Sequence, residues 1–598
     1  MYWDICLFLS LFLFIALTVA GFVLHKSPKR PKLFSRLNII LAATAFSAYI
    51  LVLPLQHETG CGLMEGFLIT VQHMLQVFSL DGDFEALREI VQCSSPALQT
   101  LYYGFASFLY MLAPILTLGV VLSFFHDASA FLRLQGYRWR SFYVFSELNE
   151  RSLVLARSCQ EQEKRQGKKA ALIFTDVFAA NEESSYELQD QAERMGALCF
   201  KKDILSLRLP RSRREISFFV LGEDDSENIE HSLQLVSRYG QQENTRLYSF
   251  AATAESALLL GSAVDANLRM TVRRINQAQS LVYNYLFESN LLSHAIELPG
   301  GGKLLRVVIV GMGRYGTEFL KGITWAGQVP GCRLELHVFE QNPTAEERFT
   351  SQCPELMKLN NNDIDGEAHY NIVFHHAGPG QGIDVDTYAF DTQIAALGPV
   401  SLAIVALGSD QADIEAAVKL RTLFRRSCPE RTPAIEAVVY QSSKARLVKD
   451  RPLVDYRGND AQIHFIGDLE DTYSYDVIVS SELERLARER HLKWATKENL
   501  HEETVRFYRF EYFYRSSVAS VIRRRIRSLV GVPGIDKEPG ERTDEERRAI
   551  QRMEHAGWNA YMRTEGFCLG KRDDLAKLHH DLIPFDQLPL KEQIKDDD

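Results

Sequence analysis

Residues 5–24 read "ICLFLSLFLFIALTVAGFVL", an apolar run without a charge. A run of that length crosses a bilayer as a helix. Residues 37–55 ("LNIILAATAFSAYILVLPL") and 101–125 ("LYYGFASFLYMLAPILTLGVVLSFF") repeat the pattern, the last with Pro114 inside it. Proline is tolerated in such a span because neighbouring helices satisfy the freed carbonyl. Between the second and third spans lies a segment, 66–83, that is uncharged as far as residue 80 yet carries Gln72, His73 and Gln76. Short, partly polar pieces of this kind are re-entrant or interfacial. Residues 1–128 are therefore expected to form an α-helical transmembrane bundle.

Beyond it the period changes. Short β-branched and aromatic runs alternate with amphipathic stretches, the pattern of βαβ units and a parallel sheet. The chain also repeats itself. "EISFFVLGEDDSENIEHSLQLVSRY" (215–239) matches "VSLAIVALGSDQADIEAAVKLRTLF" (400–424), and "NTRLYSFAATAESALLL" (244–260) matches "TPAIEAVVYQSSKARLV" (432–448). The break "ELPGGGK" (297–303) reads as a flexible linker between the copies. Two α/β Rossmann-type units are expected, at 137–298 and 301–488, followed by a small, mainly α unit at 489–598.

Charge adds an orientation. The formal net charge of −10 and pI near 5.9 argue against a nucleic acid polymer as partner, since such surfaces are basic. Lys26, Lys29, Arg30, Lys32 and Arg36 follow the first span, and Arg133, Arg138 and Arg140 follow the third. The loop between spans two and three holds Arg88 against Glu58, Glu65, Asp81, Asp83, Glu85 and Glu89. By the positive-inside rule the N-terminus is outside and the C-terminal units are cytoplasmic, in a multi-pass inner-membrane protein. The start "MYWD" lacks the basic region of a secretory signal, so the first span is read as retained.

Cys61 and Cys93 share the outer loop, as a disulfide or as two buried thiols, and no metal-ligand spacing appears among the nine cysteines. No metal is expected. Helix, half-helix, polar turn, helix is also the layout of a tetrameric cation-channel pore. Asp81 and Asp83 would then line the pathway, although no Thr-Val-Gly-Tyr-Gly filter is present. The plainer reading is an outer amphipathic helix with a solvated acidic turn.

The candidate chemistry lies in "LLRVVIVGMGRYGTEFLKGI" (304–323). Gly311 permits a tight turn, Gly313 lets the backbone approach a pyrophosphate, and Gly316 allows close helix–strand packing. The helix beginning near Arg314 would aim its positive end at the phosphate. Glu340 ends the next apolar run, where a ribose-binding acid is expected. Gly311, Met312, Gly313, Arg314, Tyr315, Gly316 and Glu340 are thus a candidate site for NAD(H) or another adenine nucleotide. In the first copy the turn is "FSELNERS" (145–152), without glycine and with Glu147 and Glu150 to repel phosphate; Asp176 is the vestigial counterpart of Glu340.

Tyr440 and Lys444 spell the YxxxK pair of short-chain dehydrogenases, in which the lysine lowers the tyrosine's effective pKa. The glycine spacing is not theirs, and the repeat puts the pair at an ordinary strand-to-helix junction. No catalytic residue is assigned, and the chain is not read as an enzyme.

Gly-x-Gly-Arg-x-Gly after an apolar strand, in tandem Rossmann units behind membrane helices, resembles the RCK family (regulators of potassium conductance) and related potassium-uptake subunits over residues 137–488. The resemblance implies nucleotides or ions that move a pore or transporter.

The stretch "MEHAGWNAYMRTEGFCLGKRDDLAKLHHDLIPFDQLPLKEQIKDDD" (553–598) resembles the RyR domain of ryanodine-receptor channels, also found alone in bacterial proteins. It does so through Glu554, Trp558, Gly566, Phe567, Gly570, Asp573, Asp574, Lys577, His579, Leu582, Pro584, Phe585, Leu588 and Pro589. His580 stands where that family usually has proline, and Phe567 where tryptophan is common. Tyr514, Arg515, Trp558, Phe567, Arg572 and Lys577 are a candidate pocket able to sandwich a base and neutralise a phosphate. The alternative is a small domain's core with a solvated basic surface. "FEYFYRSSVASVIRRRIRSL" (510–529) likewise reads as a helix with Arg523, Arg524, Arg525 and Arg527 on a solvated face.

The expected function is a nucleotide-sensing membrane protein, a ligand-gated channel or membrane effector. Bacterial proteins with these three parts resemble effectors of nucleotide-signalled antiviral defence, which adds a cyclic nucleotide to the candidate ligands. Partners are then the lipid bilayer, the nucleotide and further copies in a dimer or tetramer. The alternatives are a non-conducting regulatory sensor or scaffold for an ion transporter, and a membrane-tethered NAD-dependent oxidoreductase.

Overall fold

The computed structural model describes residues 1–25, 36–79, 88–137, 139–177, 182–209, 214–264, 268–361, 369–440, 453–454, 457–495 and 500–594. They form two compact units, Met1–Gln135 and Gly136–Asp598.

In the first unit three stretches, Tyr2–Ala20, Ile40–Glu58 and Pro96–Thr117, are long and apolar enough to cross a membrane. The second is two helices, Arg36–Val52 and Pro54–Glu58, with Pro54 at the first position of the latter, where its missing N–H costs nothing. The third runs unbroken through Pro114, in a helix Pro96–Gly136. Trp3, Leu7, Leu51, Tyr102 and Leu109 make the core of this unit, while Phe8, Phe12, Ile15, Met111 and Ile115 face outward. The short segment is a helix, Leu63–Phe78, with Leu63, Met64, Phe67, Leu68 and Leu75 exposed. Asp81 and Asp83 lie outside the described residues. Cys61 and Cys93 are free thiols.

The second unit holds two parallel sheets. In the first, β1 (Ser141–Phe145), β2 (Ala170–Phe174), β3 (Leu198–Cys199), β4 (Ile216–Val220), β5 (Thr245–Phe250) and β6 (Thr271–Ile275) take the order β3-β2-β1-β4-β5-β6. The second comprises β7 (Ile296–Glu297), β8 (Lys303–Val310), β9 (Cys332–Phe339), β10 (His369–His375), β11 (Leu402–Val405), β12 (Ala434–Val438) and β13 (Ile463–Ile466). Its order is β10-β9-β8-β11-β12-β13, with β7 antiparallel on β8. Both sheets have the doubly wound Rossmann order, which leaves a crevice at the carboxyl ends of the strands where the winding reverses. Helices on both faces account for the buried runs "ISFFV" and "VVIV".

The copies exchange their last helices. After β6 the helix Gln277–Glu288 packs on the helix Arg314–Ala326 of the second copy, with Val282 and Leu286 against Gly322. After β13 the short helices Leu469–Thr472 and Tyr475–Ile478 return to the first copy. There Leu469, Tyr473 and Ile478 join the core of Phe145, Phe219 and Tyr248, and Tyr473 stacks on Phe250 at 5.7 Å.

Helices Glu482–Ala495, Leu500–Arg509, Glu511–Val530 and Asp544–Thr564 follow, with a small pair β14 (Cys568–Leu569) and β15 (Leu578–His579). Two of the expected surface arginines are buried instead. Arg523 and Arg527, 2% and 1% exposed, each reach Glu554 at 2.6 Å. One helical turn separates them, so both meet the same carboxylate on the facing helix. Burial alone would raise the Glu554 carboxyl; Arg523, Arg527 and Arg490 hold it far below the usual carboxylate range. Gly557 makes room, since a Cβ there would come within 2.4 Å of the Arg523 Cδ.

Candidate functional site

β8 ends at Val310, and Gly311 turns the chain with φ of +94°. Only glycine adopts that conformation readily, and a Cβ there would meet the Ala406 carbonyl oxygen at 2.4 Å. Gly316 is closer still, its absent Cβ 1.8 Å from the Gly311 oxygen. Gly313 precedes the helix Arg314–Ala326 in an extended conformation with no side-chain cap, and a Cβ built on it meets nothing within 4 Å. The first-turn amides therefore open onto free space, where the helix dipole favours an anion.

Glu340, just past β9, accepts from the Met312 amide at 2.5 Å and from the Asn342 amide at 2.7 Å. It ties β9 to the glycine turn, and each oxygen keeps a lone pair for a ribose hydroxyl. Arg314 is exposed at the mouth. Tyr315 turns inward, edge to face with Tyr440 at 5.4 Å. Burial pushes both phenols up, that of Tyr440 to about 12, so both keep their protons at neutral pH. Lys444 lies outside the described residues.

The first copy closes the same place with its own side chains. Asn149 accepts from the Ser152 amide, and Ser152 Oγ accepts from the Asn149 amide, both at 2.9 Å, so the helix Glu150–Arg165 is capped. Glu147 Oε2 stands 2.8 Å from where a Gly222 Cβ would be. Asp176, at φ +44°, gives its amide to the Lys202 carbonyl at 2.9 Å.

The far wall of the second crevice is the turn 407–409, leading into the helix Asp410–Ser427. Asp413 Oδ1 accepts from the Leu407 amide at 2.6 Å, and Asp410 Oδ1 from the Tyr440 amide at 2.9 Å. The first copy repeats both ties. Asn228 Oδ1 accepts from the Gly222 amide at 2.8 Å, and Asp225 Oδ2 from the Ala252 amide at 3.0 Å.

Of the six residues expected to form the C-terminal pocket, Arg515 and Lys577 meet at Glu565, and the others make contacts of their own. Tyr514 donates to Glu484 at 3.4 Å and lines a cavity of about 80 Å³ with Arg273, Arg274, Tyr508 and Glu511; the other five do not line it. Arg515 is held by Glu511 at 2.6 Å and Glu565 at 2.9 Å, and Lys577 donates to the Glu565 carbonyl at 2.6 Å. Trp558 packs between His555 and His579, and Phe567 is buried against Tyr512. Arg572 is exposed, 3.5 Å from Asp574.

Among the described residues, one group, His579, His580 and Asp581, gathers three candidate metal ligands within 4.8 Å. These atoms already serve one another: the Asp581 amide donates to His579 Nδ1 at 3.2 Å, and the Asp581 carboxylate lies 3.4 Å from His580 Nε2.

No protein-family model and no curated protein matches this chain. It is similar to a solved structure, the dipicolinate synthase A chain from Bacillus subtilis. Identity is 11%, over 58% of this chain and 96% of that one, with a TM-score of 0.19. At that score the likeness carries no argument. Two Rossmann-type units stand on the strand orders, and the candidate site on the glycine turn.

Proposed function

We propose that this chain is a nucleotide-sensing membrane protein, in which a nucleotide at the second Rossmann-type unit changes the state of the membrane helices. It acts as a ligand-gated channel or membrane effector. The observation that carries this is the contrast between two copies of one fold. The helix Glu150–Arg165 is capped by Asn149 and Ser152, whereas the helix Arg314–Ala326 begins at bare Gly313. Open first-turn amides suit a phosphate and Glu340 suits a ribose, so the donor set fits NAD(H) or another adenine nucleotide.

Three membrane-length helices in the same chain favour an effect on a bilayer. The likeness to RCK units and to the RyR domain supports a homo-oligomer serving nucleotide-signalled defence. A ligand moves such a protein only by binding two of its states unequally.

The test is calorimetry on the full chain in detergent with NAD, NADH, ATP, ADP-ribose and a cyclic oligonucleotide. Gly313→Asp puts a carboxylate where the phosphate would sit, in space that accepts a side chain. One adenine nucleotide is expected to bind, with affinity falling at least about tenfold in the variant, a loss of roughly 1.4 kcal/mol. Equal binding by both proteins would sink the proposal.

A further inference from the structure

Asp413 is fully buried in the first turn of the helix Asp410–Ser427. Its Oδ1 is bonded to the Leu407 amide and the Gly408 and Ser409 amides lie close to the carboxylate, but its Oδ2, equally buried, makes no hydrogen bond. The internal repeat shows what this position is built to hold. Asn228 stands there in the first copy, and its Nδ2 donates to the Gly222 carbonyl at 3.0 Å and the Phe250 carbonyl at 2.9 Å. In the repeat register Gly222 corresponds to Leu407 and Phe250 to Val438. By this correspondence the Leu407 and Val438 carbonyls are the expected neighbours of Oδ2, and carbonyls only accept. An ionised carboxylate offers acceptors alone; a carboxylic acid offers one donor, as the carboxamide does.

We propose that Asp413 carries a neutral carboxylic acid, which does for the second copy what the Asn228 carboxamide does for the first. One oxygen accepts from the turn, and the other donates its proton to the carbonyls beside it. The turn so held is the wall against which the glycine loop closes. A Cβ on Gly311 would lie 2.4 Å from the Ala406 oxygen and 3.1 Å from the Leu407 nitrogen. Asp413 acts through that wall and is a positioning residue. This proton lock stands whether or not the crevice takes a nucleotide.

The titratable groups around it agree. Asp410 on the same helix opposes a second negative charge, and Tyr440 faces it from the end of β12. Across the crevice Tyr315 and Arg151 act on Tyr440. Burial first, then Asp410, push the Asp413 carboxyl up to about 7 from an ordinary 3.8, over the lowering effect of the Leu407, Gly408 and Ser409 amides. The sign follows from linkage. Between those two values the folded chain binds a proton that the unfolded chain does not. Stability from this group is therefore complete in acid, falls as the pH rises toward the folded value, and levels off beyond it.

The experiment is thermal unfolding of the full chain in detergent from about pH 3.5 to 8.5, a window that brackets the protonation change in both the unfolded and the folded chain. Asp413→Asn supplies the donor at every pH. It is expected to match the parent near the acid end and to unfold about 2–4 °C higher at the alkaline end. Asn228→Asp should import the same pH-dependent loss into the first copy, and Asp413→Ala should be less stable throughout. An Asp413→Asn protein that is less stable than the parent at alkaline pH, or whose offset does not change with pH, overturns the proposal.

Discussion

Glu554 is a single carboxylate on which two buried guanidinium groups depend. Replacing it with alanine takes the carboxylate away from Arg523 and Arg527 in the interior, with an expected cost of about 3–5 kcal/mol. Denaturant unfolding of the Glu554→Ala chain should show that loss. The glycines of the candidate site divide in the same way. Gly316→Ala forces a Cβ into the Gly311 carbonyl and should lower the melting temperature as well as nucleotide affinity. Gly313→Asp should lose affinity with an unchanged melting temperature, because nothing lies within 4 Å of the new Cβ. Two glycines in one motif are thus expected to do different work, packing and ligand access. Their spacing in the sequence predicts both roles.

At the scale of elements, the most informative contact is between helices from different copies. Gly322 lets the helix Arg314–Ala326 approach the helix Gln277–Glu288, and a Cβ would come within 2.8 Å of Leu286 Cδ1 and 3.1 Å of Val282 Cγ1. Gly322→Val should cost about 1–3 kcal/mol by overpacking, read as a lowered denaturation midpoint. The same helix carries the candidate phosphate turn at its start, so under the proposed function nucleotide affinity should fall as well. The basic helix Glu511–Val530 shows where sequence reading misses. Its arginines look like a solvated face, and the turn-apart spacing of Arg523 and Arg527 correctly puts them on one side. Only the facing helix, with Glu554 and the space left by Gly557, decides that this side is the buried one.

At the scale of the molecule, the exchange of helices makes the two copies dependent on one another. Residues 136–298 alone would lack Leu469, Tyr473 and Ile478, which complete their core, and would carry Val282 and Leu286 without a partner. Such a fragment is expected to show no cooperative thermal transition, while residues 136–480 together should show one. Two independent transitions in the longer piece would contradict this dependence.

What the sequence determined by itself is whatever rests on local period and local stereochemistry. The apolar runs of membrane length, the strand–helix alternation, the repeat and the glycine turn before an uncapped helix are all of that kind, because each is set by neighbours within a few residues. The tertiary structure alone decided which arginines are buried, which partners the expected C-terminal pocket residues take, and that each copy borrows its last helices from the other. It alone also left the Asp413 Oδ2 buried without a hydrogen bond, at the repeat position where the Asn228 amide donates to carbonyls. These depend on contacts between residues far apart in the chain, and a side chain's charge and partner are fixed by what packs against it, which no local pattern records.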